Sequence, residues 1–316
     1  MTNYTPGTGL PFALPLGSDA DPVSAQVGRE FRGLNGPNTP ATSSPEMTPS
    51  RRRRRVDADV LARIADAMPE RDWDVLRRIS EHRYLTTHQV QAFVFTTHSS
   101  AESAARTARH VLQRLERNAL IRMVTRRIGG ARSGSAARVW QLAPAGARLL
   151  RDDGAAQRTH EPSLRFLAHC LAVADVHLGA LALSDLDQVQ QVRVQTEPDC
   201  WRRYVGIGGE PRWLQPDLAA VVDLTDFSDR WFIEVDLGSE SIPTLLKKAG
   251  QYEAYRASGI EQQEHGAFPL VLWMFSRPDR ADKLRAAILR SPRLTPELYR
   301  YATADTFFAA MKEPLS

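Results

Sequence analysis

The stretch Trp231-Phe232-Ile233-Glu234-Val235-Asp236 constrains this chain more than any other. Its residue types and length are those of a buried strand, and the two-residue period puts Glu234 and Asp236 on one face. Carboxylates among such apolar neighbours are costly unless they are paired or bound to a cation. A further carboxylate, Asp217, follows Pro216 near the start of a preceding strand expected over residues 213–224. Sequential strands usually pair, so Asp217 and Glu234 are expected side by side.

The segments around them alternate. Residues 162–184 read as a long, mostly apolar helix, 189–196 as a strand, and 197–211 as an irregular excursion. Residues 230–238 form the acidic strand, 243–257 a helix, 268–276 a fully apolar strand and 280–290 a helix. The order is αβββαβα. Clustered carboxylates repel one another, and a hard cation relieves this. Mg²⁺ takes one or two carboxylates together with waters and substrate phosphates, and such a site activates water and stabilises a phosphoryl transition state. Asp217 and Glu234 are the expected metal ligands. His169 and His177 lie eight apart on one helix, about 80° from facing each other, and make no convincing metal pair. Gly206-Ile207-Gly208-Gly209 reads as a hairpin turn rather than a phosphate loop.

The preceding segment has a different character. Residues 51–151 carry twenty-one basic and nine acidic side chains, whereas residues 152–316 carry eighteen and twenty-four. Arginine supplies the basic charge of the middle segment, which suits bidentate contacts to phosphate or guanine. The pattern there is helix, helix, helix, hairpin. Trp73, Leu76 and Ile79 mark a first helix ending near Arg83. Thr86-Thr87 caps a second that runs through Phe93. Ser99 and Ser100 cap a third with Glu102 near the capping-box position, and it runs to about Ala119. That helix buries Ala104, Ala108, Val111, Leu112 and Leu115. Strands follow at 120–127 and 138–142, and Pro144 then opens a short helix. This order is that of a winged helix-turn-helix, whose third helix enters the major groove of double-stranded DNA. The expected DNA contacts are Arg106, Arg109 and Arg114 on the helix and Arg126, Arg127, Arg132 and Arg138 on the wing.

Residues 1–55 are rich in Gly, Pro, Ser and Thr and end in Arg51–Arg55. They are expected to be a disordered arm. Residues 56–150 then form the DNA-binding domain, 158–300 the second domain and 301–316 a tail. Two cysteines, Cys170 and Cys200, exclude a disulfide framework. The beginning of the chain lacks the pattern of a secretion signal. Polar residues interrupt the apolar helix, so no membrane span is expected and the chain is placed in the cytoplasm.

Pro216-Asp217 followed by Glu234-Val235-Asp236 resembles the signature of PD-(D/E)xK, restriction-endonuclease-like nucleases, and the αβββαβ order fits. Gln251-Tyr252-Glu253-Ala254-Tyr255 is similar to the QxxxY motif of RecB-like members. The combination of a winged helix with Glu-Val-Asp-Leu-Gly-Ser-Glu and a Lys-x-x-x-Tyr helix resembles the replication-relaxation family of plasmid and mobile-element proteins, over roughly residues 70–290. One departure stands out: the signature lysine belongs two residues after Glu234, where Asp236 stands. Either Lys248 enters from the helix, where it shares a face with Tyr252 and Tyr255, or Asp236 becomes a third metal ligand. The acidic residue usual on the first helix has no clear counterpart; Asp175, Glu161 and Glu197 are the choices.

The resemblance implies a two-domain α+β protein that binds DNA in plasmid replication, relaxation or transfer. Its catalytic residues would be Asp217, Glu234, Asp236 and Lys248, with Gln251, Tyr252 and Tyr255 in support and Mg²⁺ as cofactor if the nuclease-like domain is active. The competing reading is a non-catalytic regulator whose C-terminal domain serves homodimerisation or contact with replication or transfer proteins.

Overall fold

A computed structural model describes residues 57–98, 100–125, 138–150 and 162–312 of the chain. The architecture is mixed α+β. Helix α1 (Ala58–Asp66), capped by the Asp57 side chain, precedes the first helix that the sequence pattern marks. Helix α2 (Glu70–His82) is followed by a two-residue strand β1 (Leu85–Thr86) and by α3 (Thr87–Val94). Thr86 and Gln89 form a reciprocal capping box at the start of α3, which explains why the chain turns into a helix there. Helix α4 (Ala101–Arg117) starts where Ser100 Oγ accepts the Ser103 N–H. Its buried side is the expected one: Ala104, Ala108, Val111, Leu112 and Leu115.

Strands β2 (Ile121–Met123) and β3 (Val139–Leu142) join β1 in a three-stranded antiparallel sheet of order β1-β3-β2. β2 is shorter than the expected 120–127. A short helix α5 (Pro144–Leu149) follows. Gly146 is needed there, because a Cβ at that position would lie 2.1 Å from the Leu120 carbonyl oxygen.

Helix α6 (Leu164–Leu181) joins the two halves of the molecule. One side sends Ala174 into the cluster formed by α2, α3 and α4, and packs Leu167, Cys170 and Leu171 against Tyr84, Val124 and Val139. Another side packs Ala172, Val176 and Ala180 on the large sheet. A helix that is apolar on every side is a buried helix. Its polar residues do not keep Leu164–Asp185 from being long and apolar enough to cross a bilayer by length and composition alone, contrary to expectation. In this structure 67% of its apolar 18-residue window is buried within the protein.

The large sheet has five strands in the order β10-β9-β8-β7-β4. They are β4 (Val189–Thr196), β7 (Leu218–Leu224), β8 (Ser228–Asp236), β9 (Leu270–Phe275) and β10 (Tyr299–Ala302). β4, β7 and β8 run antiparallel, and β8, β9 and β10 run parallel. Alternation along β8 sends Trp231, Ile233 and Val235 into the α6 cluster, while Phe232 joins the cluster around α7 (Ile242–Ala257) and α9 (Pro278–Leu289) on the opposite face. A short helix α8 (Ile260–His265) follows α7.

Two expectations need correction. The strand expected at 213–224 is two: β6 (Pro211–Leu214), which pairs with β5 (Arg202–Val205) in a separate ribbon, and β7. Pro216, with no N–H to donate, lies between them. The excursion at 197–211 is therefore largely a hairpin. The expected tail is also structured: Tyr299–Ala302 forms the edge strand, and α10 (Phe307–Lys312) buries Phe307, Ala310 and Met311 against the α6 side of the sheet.

Candidate functional site

β7 and β8 pair with Leu218 opposite Ile233, so one further step of the same register sets Asp217 opposite Glu234. The Asp217 N–H donates to the Ile233 carbonyl at 3.1 Å, and the Val235 N–H donates to Asp217 Oδ2 at 2.7 Å. Both carboxylates are buried, Glu234 to 1% exposure. They line a cleft of about 320 Å³ with Asp236, Lys248, His169, Arg165 and Ser163 among its other walls.

Lys248 reaches this cleft from α7. Its Nζ forms an ion pair with Glu234 Oε2, in a contact not aligned as a hydrogen bond. Tyr252, one turn further along α7, donates its hydroxyl to Glu234 Oε1 at 2.5 Å. The i, i+4 spacing puts both side chains on the face that meets β8. Tyr255 shares that face but serves a different carboxylate, donating to Glu261 at 2.9 Å. Gln251 is exposed and does not line the cleft.

Asp236 also departs from expectation. It shares the strand face with Glu234, but the Arg280 guanidinium of α9 pairs with its Oδ2 and the Gly238 N–H donates to its Oδ1 at 3.0 Å. It does not join Asp217 and Glu234 as a third ligand; among the described residues no group of three His, Cys, Asp or Glu side chains is placed to hold a metal. The acidic residue sought on the first helix is not at the cleft either. Asp175 accepts from Gln89 Nε2 at 2.7 Å, and Glu161 lies outside the described residues. His169 occupies the place instead, with Nε2 3.2 Å from Asp217 Oδ1.

The electrostatics follow from burial and pairing. Burial opposes ionisation of Asp217, but Lys248, His169 and the Val235 N–H outweigh it and hold its carboxyl below the ordinary range. Burial pushes Glu234 up to about 8 against the pull of Lys248. Burial also opposes the charged forms of Lys248 and His169, and here too it is outweighed: Glu234 and Asp217 raise Lys248, and Asp217 raises His169. Lys248 thus sits against Glu234, and His169 against Asp217. As a donor set, two hard oxygen ligands facing one cleft fit Mg²⁺, with Lys248 and His169 paired to them here.

A smaller cleft of about 120 Å³ adjoins the first through Phe166, His169 and Asp217. Glu197 and Arg83 face each other across it, with Arg83 Nη2 donating to Glu197 Oε2 at 2.8 Å. Arg83 adopts φ 65°, a sparsely populated region for a side chain of this size. His169 and Arg280 were not foreseen as site residues. Phe166, His169, Cys170 and Val173 line the smaller cleft at helical spacing, a stripe visible in the sequence. Arg280 carries no such local signal.

The expected DNA contacts separate into groups. Arg106 and Arg109 are exposed on α4, and Arg138 is exposed beside β3. Arg114 is held by buried Asp72, with Nη2 2.6 Å from Oδ1 and Nε 3.0 Å from Oδ2, so its guanidinium is committed within the protein. Arg126, Arg127, Arg132 and the run Arg51–Arg55 lie outside the described residues.

The sequence pattern of the replication-relaxation family matches residues 76–271, well over half of the chain. The chain belongs to the replication-relaxation family. No curated protein and no solved structure matches it. The replication-relaxation match begins in α2 and ends in β9. It takes in α4, α6, the Asp217–Glu234–Lys248 cleft and the β5–β6 ribbon, and leaves α9 with Arg280 outside.

Proposed function

We propose that the chain binds double-stranded DNA through α4 and cuts a phosphodiester in the Asp217–Glu234–Lys248 cleft, acting in the replication or relaxation of a plasmid or other mobile element. On this reading residues 56–150 are a winged helix-turn-helix, with α4 as the major-groove helix and the β2–β3 connection as the wing. The sheet of five strands is then the core of a PD-(D/E)xK nuclease domain.

The meeting of Lys248 with two buried carboxylates at one cleft carries this reading. The lysine comes from α7, which answers the absence of one at Asp236. Mg²⁺, when bound, would be held by Asp217 and Glu234 and would neutralise phosphate charge and activate water. Lys248 places a fixed positive charge beside Glu234, where it orients the attacking water and offsets charge as the phosphorane develops. Tyr252 fixes the Glu234 carboxylate, and the Val235 N–H and His169 fix that of Asp217. Arg106 and Arg109 supply phosphate or guanine contacts beside the small Ala-rich face of α4.

The test is cleavage of supercoiled plasmid with Mg²⁺ and with Mn²⁺, wild type against Glu234→Ala. Nicking or linearisation by the wild type that the variant loses is the expected result. A second reading has its own support, since Asp217, Glu234 and Asp236 all have partners within the chain. In that reading the sheet domain is non-catalytic and serves dimerisation or contact with replication or transfer proteins. Plasmid that is bound and retarded but never cut selects it.

A further inference from the structure

We infer that the β5–β6 ribbon is the docking element for an unpaired DNA strand beside the cleft, with Trp213 as the platform for a base and Arg203 as the phosphate contact. The inference rests on the DNA-cleaving reading above and adds the form of the substrate.

The register divides the ribbon into two faces. Arg202 pairs with Leu214 and Tyr204 with Arg212, and this inner face packs toward α7 and α8: Tyr204 and Leu214 are buried, and Arg202 Nε donates to Glu261 at 3.0 Å. Arg203 pairs with Trp213 and Val205 with Pro211 on the outer face. There Trp213 is 53% exposed and Val205 67%, and Ile207 in the turn is fully exposed. An exposed indole and an exposed valine on one face of the ribbon, with an exposed isoleucine in its turn, mark a contact surface.

The ribbon is built to hold them there. The Gly206 N–H donates to the Glu210 carbonyl at 2.8 Å, and the Gly209 N–H to the Gly206 carbonyl at 2.9 Å. Gly209 sits at φ 82°, and the Glu210 carboxylate folds over Gly206 and pairs with Arg212. The turn is therefore closed from within and preorganised.

Charge selects the partner. Glu261 neutralises Arg202 and Glu210 neutralises Arg212, whereas Arg203 has no carboxylate partner among the described residues. A guanidinium in that state, across the strand pair from an exposed indole, matches the alternation of phosphate and base along a strand. Position selects the site. The ribbon leaves the large sheet just after Glu197 and returns just before Asp217, and Cys200 Sγ donates to the Pro216 carbonyl at 3.1 Å, tying its two feet together at the rim of the clefts. Bases in a duplex are already stacked, so a platform of this kind takes unpaired ones.

The experiment is fluorescence anisotropy of the full chain with fluorescein-labelled oligothymidylate and with a labelled duplex. Trp213→Ala is expected to weaken oligothymidylate binding roughly five- to hundred-fold, the range for loss of one stacked base. Duplex affinity stays within about two-fold, because α4 is remote in sequence and untouched. Trp213→Phe restores most of the loss, which a collapsed ribbon would not permit. Arg203→Ala lowers the slope of log K against log salt by about 0.7 for a single strand. Unchanged oligothymidylate binding in both Trp213→Ala and Arg203→Ala overturns the inference while leaving duplex binding, and with it the parent reading, standing. Loss of self-association in Trp213→Ala with DNA binding intact assigns the face to a second copy and also overturns it. Failure of the wild type to bind either DNA removes both readings together.

Discussion

Single residues show how a charge is assigned to structure or to function. Arg106, Arg109 and Arg114 look alike in the sequence, three arginines on one helix. The difference is Asp72, buried on α2, whose carboxylate takes two hydrogen bonds from Arg114. Removing Arg114 strands that carboxylate, and a buried acceptor without a partner is costly. The guanidinium is 45% exposed, so water recovers part of the loss. Arg114→Ala is expected to lower stability by about 1–2 kcal/mol by denaturant titration. Asp72→Asn combined with Arg114→Ala should recover part of that loss, because the stranded charge is gone.

At the scale of elements, α4 and α7 each present a working face set by what the opposite face buries. α4 buries five small or aliphatic residues against α2 and α3, which leaves Arg106 and Arg109 to solvent. Arg106→Ala or Arg109→Ala is expected to weaken duplex binding by about 1–3 kcal/mol where the residue reads a base. Anisotropy at two salt concentrations checks this; equal affinity and equal salt slope in both variants would remove α4 from the interface. α7 buries Leu245, Ala249, Tyr252 and Tyr255, and the same face delivers Lys248 to the edge of the cleft. The helical period alone sets Lys248 beside Tyr252. The partners do not follow from it: Tyr252 serves Glu234 and Tyr255 serves Glu261, because α8 lies beyond the end of α7.

At the scale of the whole molecule, α6 makes one body of the basic and acidic segments. His82 of α2 and His177 of α6 meet at 3.0 Å through Nε2 and Nδ1, and burial lowers them to about 3 and about 2, so both are neutral and one donates to the other. Gln89 of α3 donates to the Leu171 carbonyl and to Asp175. Burial raises Asp175 to about 6, with the Gln89 hydrogen bond opposing. The unfolded chain releases this proton near the ordinary carboxylate value, the folded chain near 6. Folding is therefore penalised as pH rises from about 4 to about 6, and the penalty persists above. Asp175→Asn keeps an acceptor for Gln89 and removes the charge. It is expected to stabilise the protein by about 2 kcal/mol at pH 7.5 and by little at pH 4, an order-of-magnitude figure from the shift. Equal gains at both pH values, by thermal or denaturant unfolding, would show that the charge is not the cause.

Periodicity and composition determined much of this protein. They placed α2, α3 and α4, the long helix α6 and the acidic strand β8, because buried stripes and alternating faces are local properties of the chain. They also set Asp217 beside Glu234, since consecutive strands pair. What only the tertiary structure decided were contacts between distant segments. Arg280 of α9 claims Asp236, His169 stands where an acidic residue was sought, and Asp72 commits Arg114. The break at Pro216 makes a separate ribbon out of what reads as one strand, and the last described residues return to close the sheet edge. In each case the outcome depends on which side chain from another element arrives within hydrogen-bonding distance, and no local pattern encodes that.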